Sequence, residues 1–99
     1  MNFFDYNIPN IGEDFATLFK DKNIEITRIV SSDKLEIKEY NQEKDEFVVL
    51  LEGSAKLEIE GKVKELIKGD YLYIPAHTKH KVLQTSKGTL WLAIYFKDC

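Results

Sequence analysis

The chain has 99 residues, 43% hydrophobic and 31% charged, and its 14 basic and 17 acidic side chains leave a net charge of −3. That length leads us to expect one domain with one core, spanning residues 1–99, and no apolar run approaches the roughly 20 residues needed to cross a bilayer. The lysines are spread along the chain, which argues against nucleic-acid binding by counterion release, and the lack of a basic stretch followed by an apolar one near Met1 points to the cytoplasm.

Residues 1–9 carry Phe3, Phe4, Tyr6 and Ile8, too apolar for a free tail, and are expected to pack on the body of the protein or on a partner chain. Asn10–Asp14 can open a helix. Ile11, Phe15, Leu18 and Phe19 follow at helical spacing, and Lys20 and Lys22 lie near its end, where the dipole favours cations. This pattern predicts a short helix of about two to three turns within residues 1–23, covering one end of the fold.

From residue 24 to 97 the pattern changes to strands. Ile24–Val30 alternates and is β-branched, and Leu35–Tyr40 alternates again. A polar segment, Asn41–Asp45, leads to Glu46 and then to Phe47–Leu51, which is apolar on both parities and predicts a strand covered on both faces. Leu57 and Ile59 alternate with Lys56, Glu58 and Glu60, giving one wet face, and Glu60–Gly61–Lys62 is a tight turn into Val63–Ile67. Tyr71–Ile74 is stopped by Pro75, which cannot donate to a central ladder; His80–Thr85 and the strongly apolar Thr89–Phe96 complete the set. Short strands with turn signals every 8 to 12 residues or so make an all-β sandwich or barrel. Tyr71, Tyr73, Trp91, Tyr95 and Phe96 are read as the filling of its core. The single cysteine, Cys99, has no partner for an intrachain disulfide or a cysteine zinc site and is read as an accessible thiol without a role.

Two segments resemble the paired motifs of the cupin family, small jelly-roll barrels whose motifs face each other across the interior. Gly69, five residues, Pro75, Ala76, His77, two residues, His80, three residues and Gln84 resemble the second motif, with His77 in its glycine position and Gln84 in its asparagine position. Glu46, six residues and Gly53 match the end of the first motif, but its two histidines are missing. Their places fall on Tyr40 and Gln42, or on Glu39 and Asn41, depending on the spacing used. The resemblance runs from about Leu35 to Phe96, and its wording is nearest to an uncharacterised branch of small bacterial cupins.

The resemblance implies a central pocket that takes a small molecule and, in the metal-binding members, a divalent ion such as Zn²⁺, Mn²⁺, Fe²⁺ or Ni²⁺. Carried over residue by residue, the ion's ligands are Glu46 and His80, with Gln42 as a third and His77 as a further candidate; Tyr40 and Gln84 are the ligand-binding positions. On that reading the protein extends to a metal-dependent enzyme of unassigned substrate. The other reading is a metal-free ligand-binding or sensory module, in which the same side chains only hydrogen-bond a guest. On a regular strand His77 and His80 have opposite parity, so both point inward only if the turn after Pro75 breaks the alternation. The two-faced strand, the aromatic N-terminus and the apolar last strand together point to a homodimer.

Overall fold

The alternating segments become strands paired in antiparallel fashion: β1 (Glu13–Lys20), β2 (Ile24–Ser31), β3 (Glu39–Tyr40), β4 (Asp45–Glu52), β5 (Ser54–Ile59), β6 (Lys62–Ile67), β7 (Tyr71–Ile74), β8 (His80–Thr85) and β9 (Thr89–Phe96). This computed structural model describes residues 1–97, so Cys99, expected as an accessible thiol, lies outside the described residues. One sheet has the order β1-β2-β9-β4-β7 and the other β3-β8-β5-β6, and together they form the expected jelly roll. Among the described residues no helix is long and apolar enough to cross a membrane.

The short N-terminal helix is not formed. Residues 13–20 are an edge strand, paired with β2 from Glu13↔Ser31 to Lys20↔Glu25. Phe15 and Phe19 satisfy a 3.6-residue period, but Glu13, Phe15 and Thr17 also satisfy a period of two. A helix this short is marginal alone, whereas the exposed edge of β2 offers a ready ladder of backbone partners. A bulge between Thr17 and Phe19 breaks the alternation that would have marked the strand.

The strand expected over Leu35–Tyr40 shrinks to Glu39–Tyr40. The backbone just before it is engaged elsewhere: Lys34 N donates to Ser32 Oγ at 3.1 Å, and Lys34 O accepts from Gly12 N at 2.9 Å. This local turn precedes the segment, of which only Glu39 and Tyr40 pair, with Lys81 and His80.

Leu50, Ile74 and Leu90 are fully buried, with Val48, Leu57, Leu66 and Trp91 around them. Burying each large apolar side chain is worth about 1.5–3 kcal/mol. Inward positions on β4 are Glu46, Val48 and Leu50; the outward Phe47, Val49 and Leu51 remain partly exposed, so within one chain only the inner face of this strand is closed. Tyr71 and Tyr73, expected in the core, are 67% and 55% exposed, because Leu72 and Ile74 take the inward parity of β7. The N-terminal segment packs on the outer side of β2, where Arg28 Nη1 donates to the carbonyls of Phe3 and Asp5, each at 3.1 Å, and its guanidinium lies over the Tyr6 ring.

Gly53 ends β4 at φ 93°, a conformation that favours glycine. A Cβ there would also stand 2.5 Å from Thr89 Oγ1 and 2.9 Å from Thr89 Cα, so the turn has no room for a side chain. This turn ends β4 and carries the chain across to β5 in the other sheet.

Candidate functional site

Glu46 stands near the start of β4, opposite Tyr95 of β9 and Ile74 of β7, with its side chain directed inward. His80 opens β8 in the other sheet, opposite Tyr40 of β3 and Ile59 of β5. The two sheets therefore bring one carboxylate and one imidazole face to face. Glu46 Oε1 and His80 Nε2 are 3.9 Å apart and both side chains are buried. Gln42, in the loop after β3, donates from Nε2 to Glu46 Oε1 at 3.0 Å. Tyr40 stacks on the imidazole, with ring centroids 5.6 Å apart and planes 24° from parallel.

His80 Nδ1 lies 3.0 Å from the carbonyl oxygen of Thr78. A carbonyl only accepts, so Nδ1 carries the hydrogen and Nε2 is the atom turned toward Glu46. Around this pair is a cavity of about 60 Å³, walled by apolar and aromatic side chains such as Val48, Ile74, Val82 and Trp91. One water needs about 10–15 Å³ of such space, so the cavity holds a group of a few heavy atoms.

Burial pushes the Glu46 carboxyl above the usual carboxylate range; the Gln42 hydrogen bond and His80 pull it back in part, and the nearby Glu13 pushes it further up. Burial likewise raises Glu13, against a hydrogen bond from Ser31. The Tyr40 and Tyr95 hydroxyls are raised too, first by burial and then by the neighbouring carboxylates. The site thus favours neutral forms of its acids unless something positive enters.

Of the positions expected to form the site, Glu46, His80, Gln42 and Tyr40 come together in the cavity, whereas His77 and Gln84 do not line it. His77 is exposed and sits at φ 62°, and its backbone N–H donates to Gln42 O at 2.8 Å. Its left-handed backbone accounts for a glycine at this place in the motif it resembles. A second bond, Ala76 N to Asp45 Oδ1 at 2.7 Å, ties the turn to the first residue of β4. Gln84 would share the inward parity of His80 and Val82 on a regular strand. A bulge at Leu83 shifts the register, so that Gln84 pairs with Lys56 and is exposed while Thr85 turns inward.

Among the wall residues not anticipated as part of the site are Glu13, Phe15 and Tyr95. Glu13 belongs to a chain in which Trp91 Nε1 donates to Ser31 Oγ at 3.0 Å and Ser31 Oγ donates to Glu13 Oε2. The period-two spacing of Glu13, Phe15 and Thr17 was the available signal, and the helical reading of the same residues hid it.

Divalent ions are ordinarily held by three or four protein side chains. Here the strong donors are one carboxylate and one imidazole, and the amide nitrogen of Gln42, not its oxygen, points at the carboxylate. Among the described residues no group of three His, Cys, Asp or Glu is placed to hold an ion. The donor set does not fit a tightly held resident metal.

A family model described as "Cupin domain" matches residues 30–95. The chain is 31% identical to a candidate mannose-6-phosphate isomerase of Ralstonia eutropha JMP134 of known structure, with a TM-score of 0.86, over 99% of this chain and 97% of that one. An uncharacterised protein of Aquifex aeolicus is 35% identical over 60 residues, 61% of this chain, and the match spans half of that relative's length. The cupin domain of an XRE family transcriptional regulator of Enterobacter cloacae shares the fold, at 14% identity and a TM-score of 0.78, over 89% of this chain and 99% of that domain.

Proposed function

The chain belongs to the cupin family, and from that premise we propose that it binds a small molecule in its central cavity through Glu46, His80 and Gln42, with Tyr40 as a wall. The observation that carries this reading is the pair formed by Glu46 Oε1 and His80 Nε2. These are polar atoms of buried side chains from opposite sheets, 3.9 Å apart and beyond hydrogen-bond range of each other, in an otherwise largely apolar cavity. Oε1 already accepts from Gln42, and Nε2, with the ring hydrogen on Nδ1, is an acceptor as well, so a guest bearing N–H or O–H donors can bridge the two.

A divalent metal is what the family resemblance implies, but two strong donors do not support it, and no reaction is derived through one. Nor do we carry over the sugar-phosphate activity named for the Ralstonia relative. A phosphate wants Lys or Arg, and the cavity wall has neither while holding two carboxyl groups. The reading is a ligand-binding or sensory module of one domain, working in the cytoplasm, and we assign it a homodimeric state through the outer face of the five-stranded sheet.

Two measurements test the site. Protein purified without chelator or His-tag is expected to contain far less than one divalent ion per chain. In heteronuclear NMR, small polar fragments are expected to move the Trp91 Nε1–H and His80 ring signals. Stoichiometric metal would replace the module reading by the metal-dependent one, and a fragment set that moved neither signal would remove the pocket reading.

A further inference from the structure

Beyond the central cavity lies an open shelf of about 480 Å³, lined among others by Thr17, Glu25, Thr27 and Lys44. Phe15, Tyr40, Gln42 and Tyr95 line both spaces and form the neck between them. On the shelf, Thr27 is 3% exposed, and its hydroxyl is the buried side-chain polar atom without a hydrogen-bond partner among the described residues. A buried hydroxyl left unpaired is costly, and Thr27 is part of the wall of this hollow, so a guest seated there has the hydroxyl just behind its surface.

The charges along this path are one-sided. Glu13 and Glu46 face the inner cavity, and apart from His80 their contacts there are neutral donors, Ser31 for Glu13 and Gln42 for Glu46. Glu25 and Glu43 line the shelf, where the single ammonium of Lys44 lies 3.7 Å from Glu25. The walls between are aromatic: Phe15, Tyr40, Trp91 and Tyr95. Carboxylates without cationic partners in a low-dielectric hollow attract a positive guest, and aromatic faces reinforce that attraction.

We propose that the guest is a small organic cation, an amine or amidine whose positive head enters between Glu46 and Glu13 and whose remainder leaves through the neck past the Thr27 hydroxyl. This inference rests on the pocket reading above and adds the charge of the ligand and a second contact point. It excludes anionic guests, carboxylates and phosphates alike.

Acetamidinium, acetamide and acetate have nearly the same shape and carry charges of +1, 0 and −1. Each is titrated at neutral pH and low salt into the full chain, with the Trp91 Nε1–H and His80 ring signals followed by NMR. Acetamidinium is expected to bind at least tenfold tighter than acetamide, and acetate not to bind. The preference is expected to shrink severalfold at high salt, in E13Q and in E46Q, but not in E65Q, which removes an exposed carboxylate from β6. Butylamidinium, long enough to reach past the neck, should lose affinity in T27V while acetamidinium does not. Binding of acetamide or acetate as tight as that of acetamidinium overturns the cationic inference and leaves the pocket reading standing. So does a preference unchanged in both E13Q and E46Q. If no probe moves either signal, both readings fall; if butylamidinium binds T27V and the native chain equally, the Thr27 contact is wrong.

Discussion

Glu46 and His80 lie on opposite sheets with Oε1 and Nε2 3.9 Å apart, a separation too long for a hydrogen bond and short enough for each to feel the other's charge. Gln42 bonds the carboxylate and the Thr78 carbonyl orients the imidazole, so each member is held by its own partner. The pair is therefore preorganised without being closed.

Replacing His80 by Ala should leave the barrel folded, because its stability rests on Leu50, Ile74, Leu90 and their neighbours. The Thr78 carbonyl loses its imidazole donor, and a cost of about 1–3 kcal/mol is expected in urea unfolding, the range for a buried polar group deprived of a partner. An unchanged midpoint and slope would show that this hydrogen bond adds nothing to stability.

Glu13 gives a pH dependence with a definite sign. Burial raises its pKa above the usual 4.5, so the folded protein holds this proton more tightly than the unfolded chain does. Its contribution is fully present below about pH 4.5 and is lost as the pH rises through the raised folded value. E13Q has no proton to lose there, so relative to native protein it should gain stability as the pH rises across this window. Thermal melts at several pH values, read by Trp91 fluorescence, compare the two slopes; parallel slopes would contradict the raised pKa.

Thr27→Val removes the unpartnered hydroxyl while nearly conserving shape. The unliganded variant should be more stable than native protein by about 1–3 kcal/mol, the usual desolvation cost of a buried unsatisfied group. A loss of stability would mean that the hydroxyl is satisfied in solution, by water for example.

Gly53→Ala forces a side chain onto a backbone at φ 93° and against Thr89. A loss of about 1–3 kcal/mol or more is expected from the strained conformation, with the clash added to it. An alanine variant as stable as native protein would show that this turn relaxes freely.

The outer face of the large sheet carries an apolar row, Ile26, Ile94, Phe47 and Tyr73, in register across four strands. Light scattering at micromolar concentration should give the mass of two chains, and Phe47→Arg, which places a charge in the middle of the row, should give one. A monomeric native protein would refute the pairing.

The all-β class, the strands from Asp45 onward and the meeting of Glu46 with His80 were legible in the sequence. The first two rest on local signals, β-branched and aromatic residues at a period of two, turns at Gly61 and Gly69, and a stop at Pro75, whereas the third came from the resemblance of the Glu46–Gly53 and Gly69–Gln84 spacings to the cupin motifs. Three features depended on contacts between distant segments. Residues 13–20 fit two periods, and only the free edge of β2 selected the strand, which brought Glu13 into the cavity. Leu83 looks like an ordinary strand residue, and only pairing with β5 makes it the bulge that turns Gln84 outward. His77 and His80 are three positions apart, and it was the docking of the Pro75 turn onto the Gln42 loop that sent one to the surface and the other inside. A strand's local pattern sets which residues alternate; its neighbours set the register, and register alone decides which side of the sheet each one faces.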